Sequence, residues 1–385
     1  MTRSFTVNIN PKLLLWAIER SGFTKELLVQ YIRHKFNVKY FTNDYLENIL
    51  EDKESTKYSD LKKIDSYLKR GIPFYFLDTV PEERIFPKFR SKFGNFVNPI
   101  IEQKLREYSE LREEIQYLLQ EQNISIQRKL PEYNLDFNPA EAAKIIRRTF
   151  NFDIKDYEDK TSREVFEILR MNIENQDIFI FRDALPHELR GCIFLDNKYP
   201  PLMLVNSSDD KNAEIFSLLH ELGHYLLNME DVDIDNINAN NPSSSTEIWC
   251  NSFAYFLLIT EEIEKKEGIK DSKIEEKVSD QWLKELSKKY KLSKLAFMYR
   301  LYLMKAISKN DFNDYLKKHS YKKTIKSQGG PDYYKVLKTR LSKKYIELIN
   351  NNYSDGRISL SETFDYLKVR DVDRMNQLFE VLQNG

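Results

Sequence analysis

The stretch DDKNAEIFSLLHELGHYLL (209–227) decides the fold that this sequence predicts. It begins with two aspartates, which are favoured at helix N-termini, and its apolar residues recur every three or four positions. That spacing puts five apolar side chains on one face: Ile215, Leu218, Leu219, Leu222 and Leu226. The stretch therefore predicts an amphipathic helix whose apolar face is buried in a core.

Two histidines lie one turn apart in this predicted helix. His220 and His224 are separated by Glu-Leu-Gly, so their imidazoles project from the same face. A pair at this spacing can bind a tetrahedral metal ion, and Glu221 beside the first histidine can take a proton from a reacting water molecule. In the simpler interpretation, both are hydrogen-bonded histidines of an ordinary helix. The helical context and an acidic residue downstream favour a metal site.

A catalytic zinc site needs a third protein ligand and leaves its fourth position open. Glu247 is the candidate, because it begins a second predicted helix, from about Thr246 to Ile259, that can cross the first. Asn251, one turn further on, is expected to orient a ligand through a hydrogen bond. These ligands suit one Zn²⁺ per chain, although manganese, iron or cobalt can occupy such a site in vitro.

Three further side chains are weaker candidates for contacting a substrate. His187 lies in the connection Leu-Pro-His-Glu-Leu between two predicted strands, where it can donate a hydrogen bond to a substrate or an oxyanion. The alternative is an ordinary loop histidine. Tyr225 and Tyr255 are candidates for the same task.

The remaining pattern predicts a small sheet among helices. Apolar runs predict strands at 177–181, 191–196 and 201–206, one of which is expected to offer an unpaired edge to an extended peptide. Further helices are predicted at 98–122, 138–150 and 162–173. The acidic, Asn-rich and Ser-rich segment 229–245 predicts a mobile loop beside the proposed site.

Composition excludes several classes of protein. The 385 residues include 60 Lys plus Arg and 60 Asp plus Glu, so no bulk attraction to nucleic acid or to an anionic membrane is expected. Cys192 and Cys250 are too few for a disulfide scaffold or a cysteine-rich zinc site. The start lacks a secretory signal, and no apolar run approaches about 18 residues, so a cytoplasmic protein without a membrane partner is expected.

The central residues resemble the ImmA/IrrE family of bacterial metallopeptidases. The resemblance is carried by a strand GCIFLD, a strand ending in LVNSSD, the helix with HELGH, and E-x-x-C-N-x-F-A at 247–254. It covers about 140–260, and family members usually have Ala where Cys250 stands. It implies a zinc-dependent, site-specific endopeptidase. Such an enzyme cuts a helix-turn-helix repressor and so derepresses genes of a mobile element or a stress response.

The flanking segments resemble the longer members of this family, in which an Xre-type helix-turn-helix module precedes the peptidase. IPFYFLDTVPEERIFPKFR (72–90) is similar to their linker, and LAFMYRLYLMKAIS and GRISLSETFDYL are similar to their C-terminal helices. Residues 22–57 depart from the pattern, because they lack a Gly-containing turn followed by a polar recognition helix. DNA binding is therefore doubtful, and a degenerate module that contacts protein is the alternative.

The predicted fold class is α+β and mostly helical. It has a zincin-like core, made of a small sheet, the HExxH helix and the Glu-bearing helix, between all-helical N- and C-terminal regions. The predicted segments are a degenerate helix-turn-helix-like module (1–71), a linker and long helix (72–137), the metallopeptidase domain (138–265) and a C-terminal helical domain (266–385).

Two other functions stay open at this stage. The first is a DNA- or protein-binding transcriptional regulator, or an antitoxin-like protein, with a structural or vestigial metal site. The second is a peptidase fold that has lost activity and senses a ligand or a metal. The neutral charge balance and the poor recognition helix count against the first. The presence of Glu221 argues against the second, since a purely structural site does not need a base.

Overall fold

The chain divides into two compact units, Met1–Ser109 and Glu110–Gly385. The structure is a computed structural model, and it describes residues 5–21, 24–80, 99–229, 232–234, 244–271, 274–319 and 333–382. Within these residues, no helix combines the length and the apolar character needed to cross a membrane.

The first unit consists mainly of short helices. Its elements are β1 (Thr6–Val7), α1 (Pro11–Arg20), α2 (Lys25–Phe36), α3 (Asn43–Leu50), β2 (Thr56–Lys57) and α4 (Tyr58–Leu68), followed by a 3₁₀ turn, Ile72–Phe76. The side chains of Asn10, Thr24 and Thr42 accept backbone hydrogen bonds at the starts of α1, α2 and α3. β1 pairs with β2, and the apolar helix faces form one core.

The connection from α2 to α3 determines whether this unit resembles a DNA-binding module. Asn37 ends α2 in the left-handed conformation, with φ at 50°, so no glycine is needed there. α3 carries Asp44 and Glu47 and has no basic side chain to offer a phosphate. The helix-turn-helix module stays a prediction. Residues 81–96 of the predicted connector lie outside the described residues.

The second unit contains the predicted central elements. They are α5 (Pro99–Glu121), which begins in the first unit, α6 (Pro139–Phe150), α7 (Ser162–Glu174), β3 (Phe179–Asp183), β4 (Leu189–Phe194), β5 (Leu202–Asn206), α8 (Lys211–Leu227), β6 (Val232–Ile234) and α9 (Ser245–Leu258). The predicted helices and strands are confirmed, with small shifts of their ends.

Further helices follow α9 in this unit. They are α10 (Glu261–Lys266), α11 (Ile274–Lys277), α12 (Asp280–Tyr290), α13 (Lys294–Leu303), α14 (Lys309–His319), α15 (Tyr333–Arg340), α16 (Lys343–Ser354), α17 (Leu360–Leu367) and α18 (Val372–Phe379), with a 3₁₀ turn at Glu380–Leu382. The prediction of a mostly helical α+β fold is confirmed.

The four-stranded sheet has the order β3-β5-β4-β6. β3 and β5 are parallel, whereas β4 runs antiparallel to both β5 and β6. The prediction that 229–245 is only a loop was wrong, because Val232–Ile234 forms β6 and pairs with β4. Three residues between acidic and Asn-rich neighbours carry no local strand pattern, and their pairing depends on a partner far away in the sequence.

Helices cover both faces of the sheet. α7, α8 and α9 contribute to the core on one face, together with Ile180, Ile193 and Met203 of the strands. On the other face, the ring of Phe181 lies 5.5 Å from that of Tyr345 on α16. There the buried guanidinium of Arg112 on α5 donates to the carbonyl of Pro200 and pairs with Asp196. The sheet therefore lies between two helical layers.

The helices after residue 265 share a core with those before it. Leu283, Phe297 and Phe312 belong to the same buried cluster as the apolar side chains of α8 and α9. The predicted domain boundaries at 71, 137 and 265 nevertheless stay predictions.

Candidate metal centre

α8 is held at its start by a side-chain cap and along its length by burial. The Asp210 carboxylate accepts hydrogen bonds from the backbone N–H groups of Asn212 and Ala213. From Leu218 to Leu227 every residue is buried. His220, Glu221 and His224 therefore project from a rigid helix inside the protein.

α9 brings the third candidate ligand, Glu247, to the two histidines. The Ser244 hydroxyl accepts a hydrogen bond from the Glu247 N–H, which places Glu247 in the first turn of α9. The two helices pack closely at Gly223, where an added Cβ would lie 3.1 Å from the Cα of Cys250. Gly223 directly precedes His224, and Cys250 lies one turn after Glu247. The contact between Gly223 and Cys250 therefore sets the distance between the side chains of His224 and Glu247.

Three side chains converge on one point. His220 Nε2 and His224 Nε2 are 3.0 Å apart. Each lies 3.4 Å from one carboxylate oxygen of Glu247. All three residues are buried, and within the described part of the chain they form the cluster whose ligand atoms lie close enough to hold a metal ion.

The hydrogen bonding of the first histidine fits a metal ligand. His220 Nδ1 lies 2.9 Å from the side-chain oxygen of Asn251, which is also buried. An amide oxygen only accepts hydrogen bonds, so this contact assigns the ring proton to Nδ1 and leaves a lone pair on Nε2. Two imidazole nitrogens and a carboxylate that face one another are stabilised by a shared cation, and this donor set suits zinc.

The Glu247 carboxyl is held in its ionised form by its two neighbours. Burial alone would raise the pKa of the Glu247 carboxyl, but the charges and hydrogen bonds of His220 and His224 hold that pKa well below its usual range. Glu247 is therefore ionised, as a metal-binding carboxylate must be.

Glu221 is fully buried and reaches toward the sheet. A Cβ added to Gly191 on β4 would lie 3.0 Å from Glu221 Oε1 and 3.2 Å from its Cγ. The carboxylate of Glu221 thus occupies space that any other residue at position 191 would fill. Sequence reasoning missed this role of Gly191, although a glycine within a strand is a known signal of close approach.

The weaker candidates lie in other surroundings. His187, whose side chain is 56% exposed, is on the connection from β3 to β4, with Nδ1 3.3 Å from the Glu188 carboxylate. The ring of Tyr225 packs under the guanidinium of Arg128, 4.2 Å from its centroid. Tyr255 is buried beside Phe297, and burial together with Glu264 raises its pKa well above the usual value. The structure does not bring these three into the metal-binding cluster.

Asn206 organises the connection that carries His187, and sequence reasoning missed it. Its buried side chain accepts hydrogen bonds from the N–H groups of Leu185 and Ser208. It also donates to the carbonyls of Leu185, Pro186 and Leu189. An Asn at the end of a strand is common, so the sequence gives no signal for this role.

The fold and the cluster together define a class of protein: an α+β protein with a candidate His-His-Glu metal site on two packed helices. Comparison with known families adds a likeness. Residues 170–302 match the sequence profile of the peptidase M78 family, described as IrrE N-terminal-like domain. Residues 170–302 are therefore similar to the peptidase domain of the ImmA/IrrE type. Searches of curated proteins and of solved structures found no match.

Proposed function

We propose that the protein is a zinc-dependent endopeptidase with one Zn²⁺ per chain, in which His220, His224 and Glu247 hold the metal. The observation that carries the proposal is the convergence of their three ligand atoms beside a fourth buried group, Glu221. When bound, zinc supplies Lewis-acid activation of a water molecule and of a peptide carbonyl.

Glu221 is the proposed general base. Its carboxylate follows directly after the first proposed ligand and is held between α8 and β4 at Gly191. It takes a proton from the attacking water and later returns it to the leaving amine. Asn251 keeps the proton of His220 on Nδ1, so that Nε2 keeps its lone pair for the metal. His187 remains a candidate for contacting the substrate from the connection of β3 and β4.

The proposed substrate is a protein, namely a helix-turn-helix transcriptional repressor whose cleavage derepresses genes of a mobile element or a stress response in the cytoplasm. This finer assignment rests on the resemblance to the ImmA/IrrE family. The protein-substrate class is supported by the peptidase match at residues 170–302.

Metal content tests the proposed site. Purified wild type is compared by mass spectrometry with His220→Ala, Glu247→Ala and Glu221→Gln. We expect about one zinc per chain in wild type and in Glu221→Gln, and loss of zinc in both ligand variants, because two ligands alone bind zinc weakly. A wild-type protein without metal, or full zinc retention in Glu247→Ala, would contradict the assignment.

Cleavage tests the proposed substrate. A panel of purified helix-turn-helix repressors is incubated with wild type and with Glu221→Gln, and the products are identified by mass spectrometry. We expect one repressor to be cut at one site by wild type only. If wild type holds zinc and cuts none, the metal site stands and the proposed substrate is wrong.

The alternative of a DNA-binding regulator has its own signature. Phosphate contacts release counterions, so its binding to DNA would weaken steeply with salt. The acidic α3 gives no support to such contacts.

A further inference from the structure

Two of the three proposed metal ligands lie near helix ends. His224 belongs to the last turn of α8, which ends at Leu227, and Glu247 belongs to the first turn of α9. The last four carbonyls of a helix have no partner within the helix, and helix ends fray. His220, in contrast, lies further inside α8, and its ring is held by Asn251. The geometry of the site therefore depends on what holds the two helix ends.

Residues 128–137 contact the end of α8 from outside the helix. The guanidinium of Arg128 donates a hydrogen bond to the carbonyl of Tyr225 and lies over the ring of the same residue. The backbone N–H of Tyr133 donates to the carbonyl of Leu226 at 2.8 Å. Both carbonyls lie in the last turn, where a helix carries negative partial charge, so a cationic donor is favoured there. Segment 128–137 thus supplies donors to the turn that carries the second histidine.

The same segment contacts the start of α9. The indole N–H of Trp249, which is buried two residues after Glu247, donates to the carbonyl of Phe137 at 2.7 Å. The ring of Tyr133 stacks on that of Phe137, with the ring centroids 4.4 Å apart. Leu130 is buried in the core that contains the apolar side chains of both helices. Segment 128–137 therefore bridges the end of α8 and the start of α9.

We propose that segment 128–137 positions the metal ligands, with Arg128 as a positioning residue for His224. This inference rests on the proposed metal site, and it adds residues that precede 170–302, the part that matches the peptidase profile. The segment keeps the last turn of α8 and the first turn of α9 in place before the metal binds. Zinc then meets ligands that are already ordered, which strengthens its binding.

Zinc affinity separates this role from a merely structural one. A contact that stabilises the metal-free and the zinc-bound protein equally changes the free energy of unfolding and leaves the affinity of the folded protein unchanged. A contact that positions ligands also raises the affinity, because without it the binding-competent state is less populated. The interaction of a cation with a helix C-terminus corresponds to about a two- to fivefold change in an equilibrium constant.

The test measures the zinc affinity of the purified whole chain by competition with a chelator. Arg128→Ala removes the guanidinium, whereas Arg128→Lys keeps a cation. Trp249→Phe removes the indole N–H at the other end of the segment and keeps an aromatic ring. The matched control is Lys129→Ala, because Lys129 is the next residue and pairs with Asp177, which is on neither ligand-bearing helix. Urea unfolding of the metal-free proteins reports stability separately.

We expect Arg128→Ala to weaken zinc binding about fivefold and Trp249→Phe about tenfold, since a buried carbonyl loses its donor in the second. Arg128→Lys should lie between Arg128→Ala and wild type, and Lys129→Ala within about twofold of wild type.

Wild-type affinity in both Arg128→Ala and Trp249→Phe would overturn the inference and leave the proposed metal site intact. A loss in Lys129→Ala as large as that in Arg128→Ala would also overturn it, since the removal of any cation from the segment would then explain the result. A wild type that binds no zinc would instead refute the metal site itself, and this inference with it.

Discussion

Two glycines, Gly223 and Gly191, allow close approach at the candidate site, but their neighbours differ. At Gly223 an added Cβ would meet the Cα, Cβ and Sγ of Cys250, each at 3.1 Å. At Gly191 it would meet first the Glu221 side chain, with Oε1 at 3.0 Å, and then the backbone carbonyl of Leu204 at 3.3 Å. A helix backbone yields only at a cost in packing, whereas a flexible side chain can rotate away.

This difference separates two requirements of the proposed enzyme. The contact at Gly223 sets the distance between α8 and α9, and so between His224 and Glu247. The contact at Gly191 leaves room for the carboxylate of Glu221. A methyl group at the first position should therefore disturb metal binding and stability. At Gly191 a methyl group should disturb catalysis and leave metal binding and stability nearly unchanged.

The largest expected effect is that of Gly191→Ala on the rate of cleavage. The new Cβ displaces the Glu221 carboxylate, and a general base contributes about 10²–10⁴ to a rate. We expect kcat to fall about 100-fold, with zinc content unchanged. The measurement is steady-state cleavage of the repressor identified by the panel, beside zinc analysis of the same sample.

A control without a substrate sharpens this prediction. In urea, the free energy of unfolding should fall by about 1 kcal/mol for Gly191→Ala, because the Glu221 side chain has to move and the Leu204 carbonyl, 3.3 Å from the added Cβ, has to give slightly. In a Glu221→Ala background the same change should cost still less. An equal cost in both backgrounds would assign the strain to the backbone carbonyl of Leu204 and would contradict the role given to Glu221.

The second effect is that of Gly223→Ala on zinc affinity. Here the neighbour is the backbone of α9, so the helices must separate by a few tenths of an ångström. We expect zinc affinity to fall about 10-fold or more, as with other losses of ligand positioning. We also expect the protein to be destabilised by about 1–3 kcal/mol. Competition with a chelator measures the first quantity and urea unfolding the second.

The matched control for this variant is Lys211→Ala, which changes the same helix in its first turn, away from the contact with α9. The Lys211 side chain is partly exposed and pairs with Glu214 on the same helix. Zinc affinity should stay within about twofold of wild type in that variant. If Gly223→Ala also keeps wild-type affinity, α8 and α9 can repack without moving their ligands, and the comparison between the two glycines fails.

Local pattern predicted the part of the site that lies on one helix. The spacing of His220 and His224 fixes their common face, because helix geometry follows from neighbours in sequence. The proximity of Glu247 could only be inferred from a helix expected to cross α8, and the structure brings it there. The roles of all these residues stay predictions.

Contacts between distant segments could not be predicted. β6 was missed because its three residues depend on pairing with β4. The hydrogen bonds of Asn206 to the connection after β3 join residues about twenty positions apart, and nothing in the local sequence indicates them. The cover of the second face of the sheet by α5 and α16 was likewise not predicted, since it joins segments that are far apart in the sequence.

The smallest expected effect is that of Cys250→Ala, which tests whether the Cys250 side chain or the α9 backbone sets the helix distance. The substitution removes Sγ but leaves the Cα and Cβ that face Gly223. Since the backbone contact stays, zinc affinity should change less than about twofold, while loss of a buried sulfur should destabilise the protein by about 1 kcal/mol. Chelator competition and urea unfolding measure both quantities. A tenfold change in zinc affinity would instead assign the spacing of α8 and α9 to the thiol, and Gly223 would then matter through Sγ alone.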